Sequence, residues 1–187
     1  MLELEDQRWS TLRFAYGHCP EMPSQLGALY AGSPASEMAW ASIARQIEHQ
    51  STVYDGSYAC FPHFISLALS DDNPNSDAAF EFATLILQCA LEFDGIGLPA
   101  MDKFLQEPFL LGVDRGRQLL AKRVDSLCDN FDCELDYLRL ISLYRLQPRV
   151  AMLQAEFASS FRCPKCRSEI RDPVNLLCPF PYPDIER

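Results

Sequence analysis

The stretch that decides the fold runs from Tyr58 to Phe93: Tyr58-Ala59-Cys60-Phe61-Pro62-His63-Phe64-Ile65-Ser66-Leu67-Ala68-Leu69, then Ser70-Asp71-Asp72-Asn73-Pro74-Asn75, then Ser76 through Phe93. The first part places Phe61, Phe64, Ile65 and Leu67 at helical spacing and predicts a helix over Tyr58–Leu69. Pro62 then falls in its early turns, where a missing N–H costs little. The Ser/Asp/Asn/Pro cluster is a turn. The third part, rich in Ala, Leu and Phe, predicts a long apolar helix over Ser76–Phe93.

The same pattern extends outward. A helix is expected over about Asp6–Ala15, carrying Trp9, Leu12 and Phe14 and stopped by Gly17. Met22-Pro23-Ser24 opens a second, with Leu26, Leu29 and Tyr30 on one face. Ser36 is placed to cap a third, carrying Met38, Trp40, Ile43 and Ile47. Residues 48–56 form a polar connection, with no strands expected before residue 160. After Gly95-Ile96-Gly97-Leu98-Pro99, helices are expected near Asp114–Leu127 and Cys133–Leu146, with a last one from Pro148 to Ser159. The fold class is all-α, a HEAT-like helical repeat or an irregular bundle over 1–160, followed by a Cys/Pro-rich, knuckle-like tail over 161–187.

Charge is distributed unevenly. The first hundred residues hold 13 Asp/Glu against only Arg8, Arg13 and Arg45, so they carry the whole net charge of −10. A surface of one sign repels itself and steers partners of the opposite sign. This points to binding a basic partner. With a pI of about 4.7, a general basic field for nucleic acid is absent. The start MLELEDQRW lacks the cationic and apolar regions of a signal peptide, and no apolar run has the length of a membrane span. A cytoplasmic protein with no membrane partner is expected.

Further along, Trp9-x-x-Leu12-x-x-Ala15-Tyr16-Gly17, Pro23-x-x-Leu26-x-x-Leu29, Trp40, Ile47, His49-Gln50-x-Thr52-Val53-Tyr54 and Ala59-x-x-Pro62-x-Phe64-Ile65-x-Leu67-Ala68 form a pattern. It resembles that of bacterial HEAT-like helical-repeat proteins with an AYG…HQxTVY signature, a number of which are similar to toxin immunity proteins. Ser51 departs from the pattern, standing where a glycine is common. The resemblance implies a non-enzymatic immunity protein that neutralises a cognate toxin, a basic and plausibly nuclease-type effector of a secretion system. The alternatives are an adaptor without a toxin partner and a metal- or thiol-dependent enzyme. Expected partner-binding residues are Glu21, Glu37, Glu48, Asp55, Asp71, Asp72, Asp77 and Glu81, with Tyr54 and Tyr58 as aromatic anchors. Glu37, Glu48 and Asp55 are expected to act together.

Other groups admit two readings. His49 is either a general base or part of an interhelix connection in which His49, Gln50 and Thr52 satisfy helix ends. His18 and His63 stand alone. Cys60 and Cys89 suit core positions. Cys163-Pro164-Lys165-Cys166 has the spacing of half a zinc knuckle, and Cys178 follows at ribbon-like distance, while Pro181 occupies the fourth ligand position. A structural zinc completed by Cys128, Cys133, a His or Asp184, a knuckle without metal, and a redox pair all fit this spacing. No general base accompanies it. No phosphate loop, GxSxG elbow, HExxH or calcium loop occurs.

Overall fold

The computed structural model of the chain describes residues 1–50, 52–93, 101–127, 141 and 143–145. The expected helices over Cys133–Leu146 and Pro148–Ser159, and the tail over 161–187, lie outside these apart from the four residues near 144. Among the described residues the fold is all-α: helices α1 (Met22–Tyr30), α2 (Ser36–Ile47), α3 (Asp55–Ala68), α4 (Ser76–Phe93) and α5 (Lys103–Leu127), with a hairpin of two short strands, β1 (Glu48–His49) and β2 (Thr52–Val53), between α2 and α3.

The core is built around α3. Every residue from Gly56 to Ala68 except Ser66 is buried. A helix that is apolar on all sides must be surrounded. α4 and α5 pack along it, and α1, α2 and the N-terminal segment close the remaining sides. Phe109 of α5 lies 4.6 Å from Phe61, centroid to centroid, and meets Tyr58 edge-on at 5.5 Å. Trp40 of α2 stacks on Phe82 of α4 at 4.9 Å and reaches Phe64 at 5.6 Å.

α3 starts three residues before the expected Tyr58, which moves Pro62 to its middle. The start is fixed by Ser57. Its hydroxyl accepts from the Tyr54 N–H (3.1 Å) and donates to the carbonyl of Ile47 (2.6 Å), satisfying one group at each flanking helix end. α5 starts eleven residues before the expected Asp114. Pro108 and Gly112 read as breakers in sequence. In the fold Pro108 falls in the second turn, and Gly112 sits where α5 approaches α3: an added Cβ would come within 2.8 Å of Phe61.

Three more expectations are corrected. The predicted helix over Asp6–Ala15 is a 3-10 helix, Gln7–Thr11, followed by extended chain. Trp9 and Leu12 share one helical side, but Phe14 would project away from them. Leaving the helix lets all three side chains be buried. Ser36 does not cap α2: Ala35 occupies that position, and the Ser36 hydroxyl donates to the carbonyl of Ala28 instead. The connection over 48–56 contains the hairpin, in which Glu48 pairs with Val53 and His49 with Thr52. Two-residue strands carry no alternation to detect, and Gln50, at φ 52°, fills a position usually signalled by Asn or Gly.

Gly56 at the start of α3 lies directly under the ring of Phe14, which is 2% exposed, so an added Cβ would overlap the ring. Gly56→Ala is expected to lower stability by roughly 1–3 kcal/mol in urea unfolding. Gly27→Ala in α1, whose Cβ would meet only Leu4 at 3.8 Å, should be neutral or slightly stabilising. Equal effects of the two substitutions would contradict this packing.

Candidate functional site

The helix connections separate the acidic residues into two groups. At one end of the bundle the α3–α4 turn is tied to α1 and α2. Asn73 donates to the carbonyls of Leu29 (3.2 Å) and Tyr30 (3.3 Å). Asn75 donates to Leu29 O (2.9 Å) and Ser36 Oγ (3.3 Å), and accepts from Trp40 Nε1 at 2.9 Å. These bonds gather the end of α1 and the start of α2 beside the start of α4. Glu37, Asp71, Asp72, Asp77 and Glu81 all stand exposed around this junction. No Lys or Arg lies between Arg13 and Arg45 or between Arg45 and Lys103, so the described segments that meet here, the end of α1, the start of α2, the α3–α4 turn and the start of α4, carry no cation of their own. Met38 is 75% exposed beside Glu37.

The opposite end holds the hairpin. The Ala15 N–H donates to Gln46 O (3.0 Å) and the Gly56 N–H to Arg13 O (2.9 Å), drawing the Phe14–Gly17 turn against the ends of α2 and α3. The Tyr16 hydroxyl lies 3.2 Å from His49 Nδ1, with the rings 5.4 Å apart. The AYG and HQxTVY stretches therefore meet in space. Glu48 and Asp55 are half-buried here, and Glu21 is exposed at the start of α1. Arg13 and Arg45 belong to this end as well, so it is electrically mixed.

Glu37 and Glu48 are thus about 16 Å apart along α2. Glu37, Glu48 and Asp55 do not form one patch, which corrects that expectation. Tyr58 is 4% exposed and packed on Phe109, so it is a core residue and unable to serve as a surface anchor. Tyr54 is half-buried at the start of α3. Two exposed side chains fall outside the expected site: Tyr16 (67%), and Met38, one of the four residues expected to mark the third helix. Met38 was legible, since Ala39, Ile43 and Ile47 define the buried side of α2 and Met38 falls off it.

The titratable groups of the interior are structural. His63 Nε2 donates to Leu2 O (2.8 Å), which leaves Nδ1 to accept from the Tyr30 hydroxyl at 3.1 Å. Burial, offset in part by the bond to Leu2, pulls its pKa down to about 4. His18 Nδ1 bonds the Leu12 carbonyl at 2.9 Å. Cys19, Cys60 and Cys89 are buried thiols, and burial raises the pKa of Cys19 and, further, that of Cys60. Asp6, by contrast, is held down to about 2 by its hydrogen bonds with Arg8 and is matched by that cation.

Among the described residues no three His, Cys, Asp or Glu side chains converge as a metal site. Cys163, Cys166 and Cys178 lie outside those residues. A surface hollow of about 660 Å³ along α5 is bordered, among the described residues, by Lys103, Gln106, Glu107, Leu110 and Leu111, none of them an expected site residue. No described helix is long and apolar enough to cross a membrane. No protein-family model, curated protein or solved structure matches the chain.

His63 makes stability depend on pH. The unfolded imidazole takes up a proton near pH 6.5 and the folded one only near 4, so the unfolded state binds more protons in between. Stability is expected to fall by roughly 3 kcal/mol as pH drops through that window. In His63→Gln the slope of unfolding free energy between pH 6.5 and 5, above most carboxylate titration, should flatten. An unchanged slope would assign it to other groups.

Proposed function

We propose that the protein is an inhibitor: an immunity-type binding protein that captures a basic protein toxin of the nuclease type through the acidic end of the bundle. One observation carries this reading. Glu37, Asp71, Asp72 and Glu81 are exposed around one junction, made by the end of α1, the starts of α2 and α4 and the α3–α4 turn, which holds no Lys or Arg among the described residues. Crowding like charges costs folding stability and speeds encounter with a cationic surface. A nuclease presents such a surface to phosphate, and an acidic inhibitor competes for it. Met38 adds an apolar contact at the edge of the acidic group. The resemblance to HEAT-like immunity proteins supports the same assignment.

The test is association with the purified product of the adjacent gene. A 1:1 complex is expected, with an association rate that falls as salt rises. Asp71→Lys, Asp72→Lys and Glu81→Lys together, all at exposed positions, should slow association at low salt by at least about tenfold and flatten its salt dependence. Glu48→Lys at the other end should have a much smaller effect. If the triple variant associated at the parental rate with the parental salt dependence, the acidic end would not be the contact surface.

A further inference from the structure

The outer face of α2 matches itself when turned end for end. Ala39, Ile43 and Ile47 face the core, while Glu37, Met38, Ala41, Ala44 and Arg45 are exposed. At 3.6 residues per turn these five fall within an arc of about 120°, with Ala41 near its centre. Positions 37 and 45 are equally far from 41, and so are 38 and 44. When two such helices run antiparallel across a two-fold axis at Ala41, Glu37 of one copy is level with Arg45 of the other, and Met38 is level with Ala44.

We propose that this face is a homodimer contact, its occupant a second copy of this chain. Three features of the face favour a second copy over an unrelated partner. Its charges are of opposite sign at its two ends, which makes the face self-complementary across a two-fold axis. Its largest exposed apolar group, Met38, lies on the same flank as Arg45 of the other copy, whose aliphatic stem can cover the thioether while its guanidinium reaches Glu37. Its centre is Ala41, whose single methyl group lets two helix backbones approach to the 8–10 Å of close packing. Arg45 is also the last cation before Lys103, set in the last turn of α2, where a cation suits the helix end. One helix pair buries a small area, which puts the dimer in the weak, concentration-dependent class.

Sedimentation equilibrium of the full chain tests this without any other molecule. A monomer–dimer equilibrium is expected at high micromolar protein. Ala41→Arg, at an exposed position where α2 alone gains nothing from alanine's size, should weaken dimerisation at least tenfold while helix content by circular dichroism stays unchanged. Glu37→Arg and Arg45→Glu should each weaken it several-fold, and the two combined should restore most of the parental affinity, because the pairing is then reversed rather than lost. A chain that remains monomeric at millimolar concentration overturns the proposal. So does a dimer that tolerates Ala41→Arg, or one whose charge reversals do not compensate.

Discussion

The burial of α3 on all sides is the constraint on which the rest of the fold depends. A helix at the protein surface has one side to hide, but α3 has none to spare, since twelve of its residues are buried. Two of these are polar, and each has to be satisfied inside. Ser57 takes the Tyr54 N–H and gives its own proton to Ile47, which fixes how α2 hands over to α3. His63 spends both ring nitrogens, on the carbonyl of Leu2 and the hydroxyl of Tyr30. A buried polar group without a partner costs more than one hydrogen bond gains. These contacts therefore hold the N-terminal segment and α1 to the central helix with more specificity than apolar packing provides.

This arrangement also determines where charge can go. The interior around α3 takes Phe, Leu, Ile and Ala, and the carboxylates are pushed outward to helix starts and turns. Carboxylates are favourable at helix starts, and Asp55, Asp77 and Glu37 lie in first turns. Local capping explains why individual acids occur where they do. It does not explain why no cation is interleaved between Arg45 and Lys103. The asymmetry is a property of a surface, and it becomes a surface only because Asn73 and Asn75 tie the α3–α4 turn to α1 and α2.

What was legible in the sequence follows the length over which a physical signal repeats. α4 runs over Ser76–Phe93 as its composition and flanking turn predict, because eighteen residues of one pattern outvote any local ambiguity. α1 is opened by Pro23 as expected. The short elements were not legible: strands of two residues have no period, and Gln50 adopts a positive φ that its identity does not announce. Phe14 misled in another way. It belongs to a core that forms only when Gly56, forty-two positions later, comes beneath its ring. The individual acidic residues were all visible, but their division between two ends of the bundle was not. That depends on side-chain amides contacting carbonyls more than forty residues away.

The two proposed surfaces constrain one another through charge. Two copies of a chain with net charge −10 repel, and the repulsion is strongest where the acidic ends come together. A parallel pairing of α2 would set the two acidic ends side by side. The antiparallel pairing puts them toward opposite ends of the helix pair, with the two Glu37 residues about 12 Å apart along the axis, beyond the Debye length of about 8 Å at physiological salt. It also brings each Glu37 to the level of an Arg45, one of the few cations the acidic half has. Pairing through α2 takes up Glu37 and Met38, which also border the surface proposed to meet a basic partner, while Asp71, Asp72 and Glu81 lie on other elements, so the two contacts compete at the start of α2. The charge distribution that calls for such a partner thus also selects the antiparallel orientation of two copies, the one that leaves Asp71, Asp72 and Glu81 away from the α2 pair.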